Sequence, residues 1–435
     1  MIKIYLCSFL NPISDKKCEF IREGALVVKN GKIFDRGIDY NILKKFENKK
    51  VQIVNLEGKL ILPTFFDMHF HWVQDDVRLM PKDSLLVWLS KYTWPYEEKF
   101  KSLDYTKEKV KKFSQELLAV GTLGGACYAS IHPHSVELAL DNFKGNFVIG
   151  NVLMTMNSPE YLMQSEKNAI DSVRKLSSKY KNKYALTPRF APTTSPQVMK
   201  ETAKIAKKNK SFIQTHLSET TNEIDYVMGI YKNIKGFEKI KSYTDIYNKC
   251  GILSSKTIMG HGIYLSKMEL AQLKNTGTAV AHCPTSNAPI LEKGLGSGLF
   301  NFKLIEKSKI SWALGSDIGG GPYLSMLDVM RSFVEQNKKK KVSGATYVKA
   351  LYRATMAGAQ ILNLEKTNGN FDKNKMANFV VVPVPKKQAG ESAEAVLRKL
   401  ITPFSKKRAE FDQLIEETHY LGELVYSRNS KTTGQ

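Results

Sequence analysis

The feature that most constrains the fold of this chain is a long alternation of short apolar runs with amphipathic, lysine- and glutamate-rich stretches. Short apolar runs bounded by turn residues are typical of buried strands, and the longer amphipathic stretches are typical of helices. Repeated alternation of this kind predicts a parallel β/α architecture. An open doubly wound sheet remains an alternative to a closed barrel, although no GxGxxG follows a strand to indicate dinucleotide binding.

The two ends of the chain differ from its middle, because they predict short strands and turns. Asn30-Gly31 lies between two apolar runs and predicts a hairpin. Strand character returns at 376–383, after a predicted helix at 344–364. We therefore predict a small β domain, built from residues 1–60 and 370–435, beside a central barrel of residues 61–369. We expect the tail 429–435 to be frayed.

Composition excludes several classes of protein. The chain has 435 residues, of which 42% are hydrophobic, which is enough to bury a large core. No window approaches the ~20 apolar residues that cross a membrane, and we expect no signal peptide at the start. The five cysteines lack CxxC spacing, which argues against a disulfide framework or a cysteine-based zinc site and favours a reducing cytoplasm. They stand at positions 7, 18, 127, 250 and 283.

The formal net charge of +23 raises the question of nucleic-acid binding. The lysines are scattered over predicted helices rather than gathered in one stripe, apart from Lys338–Lys341. We therefore predict no specific nucleic-acid partner and no membrane partner, and only a general attraction for anionic molecules.

Histidines stand at the ends of predicted strands. His69 and His71 are two residues apart on one strand, so their side chains project from the same face. In a parallel barrel that end of the strand is where active sites lie, and two imidazoles on one face are half of a zinc site. HxH alone is a weak signal, because two histidines also occur this way by chance.

Further polar residues follow the later strands. His216 ends one apolar run, and Glu219 follows it, where it either shuttles protons or merely complements a helix dipole. His261 and His282 end two consecutive strands, where each is a candidate ligand, electrostatic stabiliser or packing residue. Asp317 precedes a glycine-rich turn, where it completes a metal site or caps the next helix.

The order of these residues is more specific than any one of them. Five of the eight histidines and one aspartate fall at the ends of successive predicted strands. Three histidines and one aspartate leave room for a water molecule, as a catalytic zinc site requires. Zinc lowers the pKa of that water to about 7, which supplies hydroxide at neutral pH.

These residues resemble the ligand pattern of the amidohydrolase superfamily over nearly the whole chain. The pattern is Asp67-x-His69-x-His71, followed by His216, His261 and Asp317. Two further strings resemble the ATZ/TRZ-type branch, which holds cytosine, guanine and related aminohydrolases. They are His282-Cys283-Pro284-x-Ser286-Asn287 and Gly315-Ser316-Asp317. The resemblance implies a distorted (β/α)8 TIM barrel with a small β-sandwich domain formed by both termini.

Longer strings are similar to the guanine deaminases within that branch. They are His71-Trp72-Val73-Gln74, the stretch 85–97 with sequence LLVWLSKYTWPYE, Leu186-Thr187-Pro188-Arg189-Phe190 and Ser325-Met326-Leu327-Asp328. This resemblance implies a hydrolase of C–N bonds in cyclic amidines, which converts guanine to xanthine and ammonia with one zinc ion per subunit. It also implies a homodimer. Iron is the alternative metal for three histidines and an aspartate.

The resemblance also assigns roles to individual residues. It implies that zinc is held by His69, His71, His216 and Asp317. It implies that Glu219 relays protons, with Asp317 assisting, and that His261 contacts the metal-bound water or the intermediate. The purine is then bound by Gln74, Arg189 and Phe190, with His216, Glu219 and Asp317 also in contact with it.

Two other functions remain open at this point. A sibling aminohydrolase acting on 8-oxoguanine, a pterin, cytosine or a triazine would share the metal site. The segment Ala191-Pro192-Thr193 departs from the small polar residues expected there, which bears on substrate preference. A non-catalytic relative is disfavoured, because every residue implied to bind the metal or relay protons is intact.

Overall fold

The computed structural model describes residues 1–429, so the tail that we expect to be frayed falls, except for its first residue, outside the described part of the chain. The strands of the described residues are, in chain order, β1 (Ile2–Pro12), β2 (Cys18–Lys29), β3 (Lys32–Ile38), β4 (Gln52–Pro63), β5 (Phe65–His71), β6 (Thr122–Ala129), β7 (Asn146–Leu153), β8 (Ala185–Pro188), β9 (Phe212–Leu217), β10 (Thr257–His261), β11 (Ala279–His282), β12 (Trp312–Leu314), β13 (Phe379–Pro383), β14 (Glu417–Tyr420) and β15 (Glu423–Ser427).

Helices separate most of the strands in the middle of the chain, as the alternating pattern predicts. They are α1 (Asp39–Phe46), α2 (Leu85–Trp88), α3 (Trp94–Glu97), α4 (Leu103–Ala119), α5 (Pro133–Asn142), α6 (Glu166–Tyr180), α7 (Pro196–Asn209), α8 (Thr221–Lys232), α9 (Tyr243–Lys249), α10 (Lys267–Thr276), α11 (Pro284–Asn287), α12 (Phe302–Lys307), α13 (Met326–Lys339), α14 (Tyr347–Ala354), α15 (Met356–Ile361) and α16 (Ala393–Ile401). Among the described residues, none of these helices has the length and apolar character needed to cross a bilayer.

Strands β5 to β12 form one eight-stranded sheet, in which they follow one another in chain order. The pairs from β7 to β12 are all parallel. The segment after β12 returns to β5, where the backbone N–H of Asp317 donates to the carbonyl of His69 (2.7 Å) and that of His71 donates to the carbonyl of Ile318 (3.2 Å). These bonds bring the two edges of the sheet together, so the predicted (β/α)8 barrel is confirmed and the open doubly wound alternative is wrong.

The two termini build a separate sheet of seven strands, in the order β15-β14-β13-β4-β1-β2-β3. All of its neighbours are antiparallel except β1 and β4, which are parallel. The predicted hairpin joins β2 to β3, and its turn residues Asn30 and Gly31 have φ values of 52° and 74°. Positive φ at both positions is what a tight hairpin turn requires, and asparagine followed by glycine supplies it. The β-rich part that the sequence predicts from both ends is therefore present.

Backbone proximity divides the described residues into two units. One holds Met1–Asp67, Gln115–Gly124 and the chain from Tyr323 onwards, and the other holds Met68–Ser114 and Gly125–Pro322. The predicted domain boundaries at 60/61 and 369/370 remain a prediction. Every side chain of the candidate site, from His69 to Asp317, belongs to the second unit.

Candidate active site

The candidate site is built at the carboxyl ends of the barrel strands. His69 and His71 belong to β5, His216 to β9 and His261 to β10, and Asp317 follows β12. His261 and Asp317 have φ values of 69° and 50°, a left-handed conformation that residues other than glycine rarely adopt. Such residues are typical of functional sites, where the chain turns abruptly as a strand ends.

Three imidazoles and one carboxylate converge at this end of the barrel. The Nε2 atoms of His71 and His216 are 3.2 Å apart. Oδ1 of Asp317 lies 3.4 Å from Nε2 of His69 and 3.5 Å from Nε2 of His71. Zn–N bonds of about 2.0–2.1 Å place the ligand atoms of a tetrahedral site about 3.3 Å apart. The donor set and its spacing therefore fit a zinc ion, and the sequence-predicted ligands are brought together.

The protonation of these histidines also suits a metal. Nδ1 of His216 lies 2.6 Å from the carbonyl oxygen of Arg189, to which it donates, so Nε2 keeps its lone pair. Burial, with the neighbouring imidazoles, holds the pKa of both His71 and His216 well below the usual value. Burial opposes ionisation of Asp317, but its interactions with His69 and the other imidazoles lower its pKa to about 2. Neutral imidazole and ionised carboxylate are the forms that bind metal.

Close packing holds the ring of His69 in place. Tyr128, which no sequence motif had indicated, lies against it with ring centroids 4.6 Å apart and also contacts His71 and His216. On the neighbouring strand, a Cβ added to Gly260 would lie 2.6 Å from Cε1 of His69. Only glycine at 260 leaves room for the imidazole in this position.

Replacing Gly260 with alanine is therefore expected to displace His69 and to lower zinc affinity by about 10- to 100-fold, the usual cost of disturbing the support of a metal ligand. Metal content after dialysis against a zinc buffer measures this effect. Gly229→Ala is the matched control, because an added Cβ there meets nothing within 4 Å. Equal zinc retention by the two variants would contradict the role given to Gly260.

Glu219 faces the same cluster from the segment between β9 and α8. Its side chain is buried, Oε1 accepts a hydrogen bond from Ser297 (2.8 Å), and Oε2 lies 3.4 Å from Nε2 of His261. Burial raises the pKa of Glu219 to about 7. Glu219 directly precedes α8, whose capping box is made by Thr220 and Glu223, so the side chain of Glu219 does not cap that helix. Its carboxylate instead faces His261 at the metal-ligand cluster.

The two histidines left open by the sequence have different surroundings. His261 pairs through Nδ1 with Oδ1 of Asn287 (3.1 Å), so Nε2 faces Glu219 and Asp317. His282 instead stacks on Phe300, with ring centroids 4.3 Å apart, and burial lowers its pKa to about 3. Nδ1 of His282 also lies 3.5 Å from Nδ2 of Asn287. His282 therefore packs behind Asn287, whereas His261 faces the carboxylates of the site.

A cavity opens in front of the cluster. It is lined by His71, Gln74, Leu85, Trp88, Leu89, Arg189, Phe190, His216, Glu219, Glu223, His261, Leu295 and Asp317. The three residues that sequence resemblance assigned to the purine, Gln74, Arg189 and Phe190, thus share a cavity with those assigned to the metal. Leucine, tryptophan and phenylalanine side chains supply the apolar walls that suit a flat ring. Leu85, Trp88 and Leu89 belong to the motif 85–97, which by itself assigns them no role.

Comparison with known proteins accords with this arrangement. Residues 60–407 match the model of the amidohydrolase family. Guanine deaminase from Escherichia coli K12 is 32% identical over 428 residues, which cover 94% of this chain and 92% of that protein. The chain belongs to the guanine deaminases of the amidohydrolase family. Its resemblance to them, first seen in short strings, is therefore confirmed over nearly the full length.

Solved structures of guanine deaminases share the fold. That of the E. coli enzyme has 30% identity and a TM-score of 0.87, and covers 98% of this chain and 100% of its own. That of the guanine deaminase from C. acetobutylicum, described with guanine bound in its active site, has 25% identity, a TM-score of 0.84 and the same coverage. The amidohydrolase family is metal-dependent, so the convergent donor set of this member stands where a metal site is expected.

Proposed function

We propose that the protein catalyses the hydrolytic deamination of guanine to xanthine and ammonia. Its membership of the guanine deaminases supports this reaction and favours it over deamination of another heterocycle. The observation that carries the proposal is the shared cavity, in which Arg189 and Phe190 lie together with the cluster of His71, His216 and Asp317. One small molecule can therefore contact a ring-binding wall and the reactive groups at the same time.

The four residues proposed to hold zinc are His69, His71, His216 and Asp317. Their spacing of 3.2–3.5 Å and the lone pair on His216 Nε2 support this assignment. When bound, zinc activates a water molecule as a nucleophile and polarises the atom under attack. Iron is the other metal that this donor set accommodates.

The reaction adds water at C2 of guanine and releases the 2-amino group as ammonia. Glu219 takes a proton from the water and delivers it to N3, which makes C2 more electrophilic. It then takes the second proton, from the hydroxyl now carried by C2, and passes it to the departing amine with Asp317 assisting, so that the C2–N bond breaks as C2=O forms. The pKa of about 7 suits Glu219 to both transfers, because either protonation state is populated at neutral pH. Ser297 contacts one oxygen of the Glu219 carboxylate and His261 lies near the other, so together they orient the carboxylate.

The purine itself is held by the opposite wall of the cavity. Arg189 offers N–H donors to the O6 carbonyl, and the face of Phe190 packs on the ring. Phe190 is buried and its ring centroid lies 6.4 Å from that of His216, so a ring stacked on it lies next to the metal ligands. These residues orient the substrate, whereas Glu219 moves its protons.

The direct test is to incubate the purified, metal-analysed protein with guanine and to follow xanthine formation by ultraviolet absorbance. Rapid conversion with release of one ammonia per guanine is expected. Zinc-loaded protein that leaves guanine unchanged would refute the proposed substrate. A panel of 8-oxoguanine, pterins, cytosine and triazines would then identify the heterocycle.

Two further predictions accompany this function. The homodimer implied by sequence resemblance is testable by light scattering of the purified protein. The reducing, cytoplasmic environment favoured by the cysteine spacing is consistent with five cysteines that are not joined in disulfides, four of which are buried. Both remain predictions.

A further inference from the structure

Glu97 lies directly behind the two polar side chains proposed to bind the purine. Its side chain is buried at the end of α3, and it is not among the residues that line the cavity. Oε2 accepts a hydrogen bond from Arg189 at 2.6 Å, and Oε1 accepts one from Nε2 of Gln74 at 2.7 Å. The two oxygens of one carboxylate therefore hold Arg189 and Gln74 side by side.

This carboxylate determines which way the amide of Gln74 faces. A carboxylate paired with arginine accepts hydrogen bonds and has none to give, so only the amide nitrogen of Gln74 can bind it. The amide oxygen must then point away from Glu97. The space for it is kept open by Gly319, where an added Cβ would lie 2.1 Å from Oε1 of Gln74. Gln74 therefore offers a ligand in the cavity an acceptor.

Arg189 offers the opposite polarity. One of its terminal nitrogens is engaged by Glu97, and the remaining guanidinium N–H groups are donors only. Gln74 and Arg189 thus present one acceptor and one donor next to each other. The complement of this pair is a carbonyl beside a ring N–H, which is the lactam edge of a 6-oxopurine. An amino group beside an unprotonated ring nitrogen, the amidine edge of a 6-aminopurine, meets the wrong partner at both positions.

We propose that Glu97 is a positioning residue that sets the hydrogen-bonding polarity of the cavity and so makes it specific for the lactam edge of purines. The inference rests on the proposed function, because it assumes that a purine occupies this cavity. It accounts for the burial of a carboxylate that takes no part in the proton transfers. Specificity for the purine then depends on Glu97, which is not one of the residues that line the cavity.

Hypoxanthine and adenine are suitable probes, because they differ in this edge and both lack the 2-amino group that is removed from guanine. Their binding to the zinc-loaded protein is measured by calorimetry, with chromatography to check that neither is converted. The wild type is expected to bind hypoxanthine at least about tenfold more tightly, because adenine would leave buried polar groups unpaired.

Glu97→Gln is expected to reduce this preference to within about threefold or to invert it. The new amide must turn its oxygen to the charged Arg189 and its nitrogen to Gln74, which then turns its own nitrogen into the cavity. The melting temperature and zinc content of the variant show whether it is folded and loaded. A role in folding alone would weaken the binding of both purines equally and would not change their ratio.

A second variant keeps the test decisive if loss of the buried charge prevents folding. Glu97→Asp retains a carboxylate for Arg189 but is one methylene shorter, so it cannot reach both partners. Its preference is expected to fall between those of the wild type and Glu97→Gln. Glu269→Gln is the matched control, because Glu269 is a buried carboxylate in the capping box of α10. It should keep the wild-type ratio.

The outcomes separate this inference from the proposed function. Folded, zinc-loaded Glu97 variants that keep the wild-type ratio would overturn the inference, even if the protein deaminates guanine. A wild type that binds the two purines equally would overturn it as well. A wild type that leaves guanine unchanged but prefers hypoxanthine, and loses that preference in the Glu97 variants, would support the inference while refuting guanine as substrate.

Discussion

Glu219→Gln is expected to lower kcat for guanine by about 10²- to 10⁴-fold, the usual contribution of a positioned proton-transfer group. The amide has nearly the same shape and can still accept the hydrogen bond from Ser297. It cannot take a proton from water or deliver one to the purine, so the loss falls on the chemical step. Zinc content should not change, because Glu219 is not one of the four proposed ligands. Steady-state kinetics with metal analysis of the same sample measures both quantities.

The control for this variant is again Glu269→Gln. Glu269 is also a buried glutamate, but it caps α10 and accepts hydrogen bonds from Thr244, so it lies outside the site. Its amide variant should keep kcat within about threefold of the wild type. If Glu219→Gln kept comparable activity, the assignment of Glu219 as the proton relay would be wrong, and His261 would be the next residue to test.

Removal of the metal is expected to abolish guanine deamination, and added zinc should restore it. Without the ion no water is activated at neutral pH, and the three histidines are left around an empty centre. The loss should also lower the melting temperature, because an ion that binds only the folded protein stabilises it by mass action, by about 2.7 kcal/mol at a hundredfold excess over Kd. Dialysis against a chelator, followed by an activity assay and thermal denaturation, measures both effects.

Comparison of several metals provides the control. Zinc and ferrous iron should each restore activity if the donor set is as proposed, whereas magnesium should not, because it prefers oxygen ligands. Full activity of a chelated protein that has been shown to be metal-free would contradict the metal site. If iron but not zinc restored part of the activity, the four assigned ligands would stand and only the identity of the ion would be revised.

Much of the site could be predicted because its residues follow a regular structural rule. In a parallel barrel the ends of consecutive strands meet on one face, so strand-end residues far apart in sequence become neighbours. The strand-end residues His71, His216 and Asp317 were expected on one face for this reason. Nε2 of His71 lies 3.2 Å from Nε2 of His216 and 3.5 Å from Oδ1 of Asp317. A β-rich part built from both termini was predicted from their strand character, whereas the number and order of the seven strands were not.

Other features depend on contacts that no local pattern reveals. Glu97 belongs to the motif 85–97. Its hydrogen bond with Arg189 nevertheless forms only because the segment after β5 folds against the end of β8. His282 and His261 have the same position at a strand end, but His282 packs on Phe300, whereas Nε2 of His261 faces Glu219. The predicted helix at 344–364 is divided into α14 and α15 at Thr355, which has φ −133° and ψ −87°. Its amphipathic pattern runs through the break, so the sequence shows one helix.

The hydrogen bond from Asp317 to the carbonyl of His69 has a consequence for how the protein is made. A ribosome synthesises β5 long before the segment after β12, so the histidines of β5 are made before the seven strands β6 to β12 have been added. The ion can be held by its full set of ligands only after the last of these segments has docked. Capture of the metal should accordingly be a late event in maturation, and truncated or stalled chains should be unable to sequester it.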